Sequence, residues 1–452
     1  MIEARWRLVA CVSVLVFATG VDAASRLTKV VDSFDQVPGA GTGVAFVLPG
    51  TAAAHKNGIF VFQAEVSGVK GLWRSGPAPA AFTRLVDGNT AIPSGSGFFR
   101  DLVPFRFDGN SVVFRGDDQF EFGGQAGYYA QPVAGGAPTM LANQGTLVPP
   151  ANTVSFGTNI GFPGGTQEQM ALDAGTLVFA DDREAGNYAI PVPAGPLRAL
   201  GTTAFAICET GNFLALIWAN PEISGNTVVM GIGGGAGAAL YTFPLGGVSG
   251  IVDACATPRL RANNGFRIAS RNVAMPGGGA NFDAFAFNTL RIDGDRVVFR
   301  GGNGLGRFGI YSSATDGSGL IELVSTETPV PGGVGNFQGP VAGLSLDRIV
   351  IGGEVVVFRG TDASAFQGVY AVPVRGGQVV EIVRANDMLP DGRTVFAAGG
   401  AALAPELFNG DSMDGRSLAL RIDFTDPQRG FGSGIYAIDL PGALFADGFE
   451  NP

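Results

Sequence analysis

The apolar positions of this chain recur as short β-forming runs and show no helical spacing. One pentapeptide is clear in four copies: Ser111-Val-Val-Phe-Arg115, Thr176-Leu-Val-Phe-Ala180, Arg296-Val-Val-Phe-Arg300 and Val355-Val-Val-Phe-Arg359. Ile59-Phe-Val-Phe-Gln63, Thr227-Val-Val-Met-Gly231 and Ser417-Leu-Ala-Leu-Arg421 are weaker copies. Aligned on Phe62, Phe114, Phe179, Met230, Phe299, Phe358 and Leu420, they lie 52, 65, 51, 69, 59 and 62 residues apart. A self-similar period of this size is the signature of a repeat architecture, and here it gives seven units.

Each pentapeptide is followed by an aromatic that usually closes a Gly-aliphatic-Tyr pattern: Trp73, Tyr129, Tyr188, Tyr241, Tyr311, Tyr370 and Tyr436. Gly, Asp and Asn clusters such as Gly360-Thr-Asp362 lie between, so the pair reads as a hairpin. A third apolar segment follows, as in Phe82-Thr-Arg-Leu-Val86 and Leu320-Ile-Glu-Leu-Val324, and then a Pro-Gly-like turn, as in Val330-Pro-Gly-Gly333. A fourth strand enters the next pentapeptide through an Asp-Gly turn, as at Asp108-Gly109 and Asp293-Gly294. Four antiparallel strands in each of seven units predict an all-β, seven-bladed β-propeller. A blade covers its faces only with its neighbours, so the ring must close. Residues 26–39 resemble a third segment with its Pro-Gly turn, yet they precede the first pentapeptide, and the last unit lacks that segment. The N-terminal strand is therefore expected to complete the final blade.

The layout, a β-run ending in Arg-Gly or Gly-Gly followed by a loop and Gly-Ile-Tyr, resembles kelch and related propellers over the whole mature chain. It departs from kelch in lacking a tryptophan late in each blade, Trp occurring only at Trp6, Trp73 and Trp218. The pattern is also similar to uncharacterised repeat proteins exported by bacteria. Leu444-Phe-Ala-Asp-Gly-Phe-Glu450 resembles a tail carried by many secreted gammaproteobacterial proteins, which implies a secreted or periplasmic bacterial location.

Arg5 and Arg7 lead into an apolar run from Leu8 to Ala18 and then Val21-Asp22-Ala23, the layout of a secretory signal peptide. The run is short of the roughly 20 residues that span a bilayer, so no membrane insertion is expected. The expected organisation is a signal peptide over 1–23, one propeller over 24–442 and a tail over 443–452. The 71 glycines and 34 phenylalanines suit many short buried strands joined by tight turns. A net charge of -10, with lysine only at Lys29, Lys56 and Lys70, argues against a nucleic-acid partner.

Candidate chemistry is sparse. His55 is the single histidine, which leaves no Ser-His-Asp set or multi-histidine metal site, and its polar neighbours predict a solvated loop. Gly231-Ile-Gly-Gly-Gly-Ala-Gly237 lacks Gly-x-Gly-x-x-Gly spacing and precedes a strand, so it reads as a hairpin loop and not as a phosphate cradle. Arg115, Arg300, Arg359 and Arg421 share one place in the repeat and could form an anion-binding crown, although repetition across units usually serves structure. The acidic pairs Asp117-Asp118, Asp181-Asp182 and Asp293 with Asp295 lack the alternating series of a calcium loop. No catalytic residue, cofactor site or metal ligand is singled out. The expected function is a secreted ligand-binding or scaffold propeller whose loops at one ring face hold a carbohydrate or another protein. The alternatives are a hydrolase or lyase acting on extracellular polysaccharide, and a purely structural envelope protein. Convergence of Asp, Glu, Arg and Tyr in a deep central pocket would favour the enzyme.

Removal of the leader leaves Cys208 and Cys255, an even count that permits one disulfide in an oxidising compartment. Both are expected to follow third segments, in the same part of neighbouring units. A bridge between them would stabilise by up to roughly 4 kcal/mol through loop-closure entropy. Thiol titration of the denatured, unreduced mature protein should find no free thiol; two free thiols would rule the bridge out.

Overall fold

In the computed structural model, which describes residues 26–440 apart from 39–43, 49–52, 76–81, 94, 96, 119–125, 150–151, 157–159, 161–169, 182–185, 202–219, 235–236, 247–264, 278, 304, 340–345 and 397–409, every pentapeptide copy is the second strand of an antiparallel sheet. Seven such sheets follow one another along the chain, and no helix longer than a single turn is present among the described residues. The first runs through Ala54–Lys56, Ile59–Val66, Val69–Ser75 and Phe82–Asp87. Its six successors keep this order of inner, second, third and outer strand. Each inner strand touches the inner strands of the sheets before and after it, and the seventh touches the first. The chain is a seven-bladed β-propeller.

The last blade takes its outer strand from the N-terminus. Thr28–Asp32 pairs antiparallel with Gly430–Asp439, Lys29 opposite Tyr436 and Asp32 opposite Gly434. A buried ion pair fixes the strand: Arg393, from the connection between blades six and seven, donates Nη1 to Asp32 at 2.6 Å and lies 4.4 Å over the Phe424 ring. Although burial opposes ionisation of Asp32, the hydrogen bonds from Arg393 and the Phe34 amide hold its carboxyl below the usual range.

The repeated residues have repeated jobs. Phe358 on the second strand and Tyr370 on the third stand opposite each other, 5.8 Å between ring centroids, and Phe337 from the preceding connection meets Tyr370 edge-on at 5.0 Å. The same triads are Phe99, Phe114 and Tyr129; Phe156, Phe179 and Tyr188; and Phe282, Phe299 and Tyr311. Each ring pair contributes about 0.5–1.5 kcal/mol beyond burial of its area. This packing explains the flanking glycines. A Cβ at Gly360 would lie 2.5 Å from Phe337, and one at Gly368 would lie 2.6 Å from the Tyr370 hydroxyl.

The Asp-Gly turns link blade to blade. Asn57 N–H donates to Asp414 at 2.6 Å, Gly175 N–H to Asp108 at 3.0 Å, Gly225 N–H to Asp173 at 2.7 Å and Gly294 N–H to the Ser224 hydroxyl at 2.9 Å. Gly353 N–H donates likewise to Asp293. In each case the acceptor ends one inner strand and the donor belongs to the turn of the next blade. Two junctions lack such an acceptor, at Lys56 and at Gly352. The second is filled by close approach: a Cβ on Gly352 would stand 2.7 Å from the Gly415 carbonyl oxygen.

Two expectations need correction. His55 is not a solvated loop residue: it lies on the inner strand of blade one, buried and stacked on Phe60 at 4.1 Å, because a three-residue strand flanked by a turn carries too few apolar positions to read as one. The cysteines themselves lie outside the described residues, but the strands around them put Cys208 after the outer strand Arg198–Gly201 and Cys255 between Gly237–Pro244 and Phe266–Ser270. They therefore occupy different kinds of connection. The signal peptide and the tail also lie outside the described residues. Deleting residues 26–36 from the mature protein should expose an edge of the last blade, lower the melting temperature and promote aggregation; a melting curve superimposable on the parent's would show that this strand does not hold the ring shut.

Candidate functional site

Antiparallel order gives the ring two faces. One carries the inner-to-second turns and the third-to-outer connections; the other carries the second-to-third loops and the blade-to-blade connections. The central channel opens on the turn face. It holds a cavity of about 170 Å³ to which all seven inner strands contribute, among them His55, Asp108, Asp173, Glu222, Arg291, Gly352 and Met413. Drug-sized sites occupy about 300–1,000 Å³. This cavity falls below that range.

The charges in the channel are largely committed to the frame. Arg291 donates to Glu222 at 2.9 Å in a buried pair, and Arg106 Nε donates to the Met170 carbonyl at 2.8 Å. Asp108, Asp173 and Asp293 accept the turn amides described above. Asp411 stitches the seam: its carbonyl accepts from His55 N–H at 2.8 Å and its carboxylate from Phe107 N–H at 2.7 Å, joining blade seven to blades one and two beside the junction where Lys56 offers no acceptor. The residue as a whole is part-buried, yet its carboxyl is shut in, and burial outweighs Arg106, the Phe107 amide and Arg291 to push it up to about 6. Burial raises Asp293 as well and lowers His55. Among the described residues no tyrosine lines this cavity. The tyrosines sit between blades, where burial pushes Tyr129 up to about 12.

The four repeated arginines share one register, opposite Tyr128, Ile310, Val369 and Ile435. Arg359 forks onto Asp347 at 2.8 and 2.6 Å, Arg421 holds Asp423 at 2.9 Å and the Ser433 hydroxyl at 3.1 Å, and Arg115 reaches the Ile160 carbonyl at 3.2 Å. Arg300 is lowered by burial, against the pull of Asp347. Thr227–Gly234 and Gly237–Pro244 make the glycine run a hairpin, as its sequence indicates.

The loop face has a different character. Among the described residues the exposed large apolar side chains are Val47, Phe98, Leu147, Val154, Val334 and Met388, in blade-to-blade connections, and Leu305, Phe366 and Phe431, at second-to-third loops. All nine are on this face. Sequence reasoning missed the set, because the residues are scattered over nearly 400 positions and meet only through the alternation of strand direction.

No family model matches the chain, and no curated protein matches it in sequence. Among solved structures it is similar to the β-propeller domain of the Trilobed protease from Pyrococcus furiosus, at 8% identity and TM-score 0.46 over 88% of this chain and 96% of that one. It is also similar to TolB from Acinetobacter baumannii, at 11% identity and TM-score 0.36 over 74% of this chain and 61% of that one. A third is a putative TolB from Agrobacterium tumefaciens, at 12% identity and TM-score 0.34 over 69% and 91%. The chain thus spans less than two thirds of the Acinetobacter protein, and none of these likenesses bears on what it binds.

Asp411 makes a pH signature. A carboxyl raised in the folded state keeps its proton where the unfolded chain has lost it, so its contribution to stability is complete below about pH 4, declines as pH rises to about 6 and is then constant. His55, lowered on folding, acts in the opposite sense: stability declines as pH falls below the ordinary histidine value. Asp411→Asn keeps an acceptor for Phe107 N–H and removes only the first effect. Urea melts from pH 4 to 7 should show the parent losing up to about 3 kcal/mol relative to this variant between pH 4 and 6. A pH-independent difference would refute the assignment.

Proposed function

We propose that this chain is an exported binding propeller that holds a protein partner on its loop face. The observation that carries the reading is the segregation to that face of the nine large apolar side chains exposed among the described residues. Scattered apolar residues are ordinary on soluble proteins, but a one-sided set rimmed by polar loops is the mark of an interaction surface. Aromatic and Met residues are enriched at such surfaces, and Phe98, Phe366, Phe431 and Met388 are among the nine. Among the described residues the turn face offers Asp-Gly and Asn-Gly turns in place of large exposed apolar side chains. The leader from Leu8 to Ala18 supports export, and the cavity of 170 Å³ with its internally bonded charges favours binding over polysaccharide cleavage.

Phe98, Leu305, Val334 and Met388 are 55%, 85%, 56% and 69% exposed, so replacing all four with Ser removes contact area while leaving the cores intact. The variant should keep the parent's melting temperature. Immobilised on beads against an envelope extract, the parent should retain a protein whose recovery by the variant falls at least tenfold. Identical retention by the two would overturn the reading.

A further inference from the structure

Blade one differs from blades five, six and seven at one place. In each of those three, the space bounded by the preceding Pro-Gly turn, the third strand and the outer strand is plugged by an arginine. Arg307 in blade five spans from the Gly277 carbonyl at 2.7 Å to both oxygens of Glu322, beside the Tyr311 hydroxyl. Arg384 in blade six joins the Gly332 carbonyl to Asp362. Arg393 fills the site in blade seven, between Asp32, Asp426 and the Tyr436 hydroxyl. These sockets offer oxygens and take a cation.

In blade one the polarity is inverted. Trp73 replaces the tyrosine that stands at this position in the other six blades, and its indole N–H, in a residue 7% exposed, has no hydrogen-bond partner among the described residues. Opposite it, where blade five has Glu322 and blade six Glu381, stands Arg84. Val69, four residues before Trp73, occupies the place of Arg307, four before Tyr311. It is too short to plug the space, and a cavity of about 510 Å³ remains, walled by Val37, Pro38, Val66 and Phe82 and edged by Asp87 and Asn89.

We propose that this cavity is a binding site for a neutral pyranose sugar. A pyranose matches it in two respects. Its C–H faces suit the Val, Pro and Phe walls. Its vicinal hydroxyls suit the planar edge groups of Arg84 and Asp87, which are paired at 2.7 Å and so carry no net charge between them. A cation of the kind seated in the sibling sockets would meet Arg84 at the edge and a carboxylate, that of Asp87, which Arg84 already engages. The volume lies within the range of small-molecule sites. The site is independent of the protein-docking reading, since none of the four residues changed to test that reading lines it.

The test is titration of the mature protein with methyl glucoside, methyl galactoside, methyl mannoside, maltose and diacetylchitobiose at millimolar concentrations, followed by tryptophan emission and calorimetry. At least one should bind saturably and shift the emission. Val69→Arg, which installs the blade-five plug, should weaken binding at least tenfold with an unchanged melting temperature. Trp73→Tyr, which installs the residue of the other blades, should do the same by calorimetry, and it supplies the answer if Val69→Arg does not fold. No binding of any of the five sugars by the parent would overturn the proposal, and so would undiminished binding by either folded variant.

Discussion

Every blade has two apolar faces, and nothing within the blade can cover them. Val356, Phe358, Tyr370 and Val372 of blade six share a buried cluster with Val298, Ile310 and Val324 of blade five, while Val357, Val369 and Ala371 of blade six share another with Leu418, Leu420, Phe424 and Tyr436 of blade seven. Alternate residues of one strand thus belong to different cores. With apolar burial contributing about 25 cal/mol per Å², a missing neighbour strips one complete face, and the loss propagates because each blade is also a wall for the next. Closure is therefore a thermodynamic requirement of the whole chain. The seam is where it is enforced: the outer strand Thr28–Asp32, the buried Arg393–Asp32 pair and the reach of Asp411 into blades one and two all act at blade seven, the blade whose strands come from both ends of the propeller.

The circular set of turn-amide hydrogen bonds shows how this requirement limits the centre. Seven short strands converging on one axis bring the turn amides of one blade within reach of the strand end of the blade before it. Asp108, Asp173, Asp293 and Asp414 accept from them across blade junctions. A carboxylate that left its amide for acid or base chemistry would give up a bond that ties two blades. The channel is accordingly part of the frame, and the variable surface is elsewhere, on the loops.

How far the sequence discloses this depends on the range of each interaction. Blade count, strand order and closure by the N-terminal strand were readable because each rests on a pattern repeated along the chain: Phe on the second strand in five units, Tyr on the third in six, Gly where the rings lie flat. The Asp-Gly turns were also visible, though their bonding to the following blade was not, since that bond crosses tens of residues. His55 was misread for want of local apolar context. Asp411 carried no signal at all, as Gly410-Asp-Ser412 is an ordinary polar string. The one-sided apolar face could be found only by placing each loop on a ring face, a property of strand direction and not of residue type.

Repetition also makes departures from it informative. Two of the tyrosine hydroxyls buried between blades meet carboxylates: that of Tyr311 donates to Glu322 at 3.3 Å and that of Tyr436 to Asp391 at 3.2 Å, and an arginine balances the charge thus gathered in each case. In these two blades phenol, carboxylate and guanidinium form a unit. Blade one has changed all three: indole for phenol, Arg84 for the carboxylate, Val69 at the place of the arginine. If stability alone governed the site, the concerted change should have produced another filled and fully bonded socket. Instead it leaves a cavity and, beside it, an indole N–H without a partner among the described residues, against the close packing that holds elsewhere in the cores. Blades five, six and seven close this space with an arginine and blade one leaves it open, so the room for a ligand is in blade one.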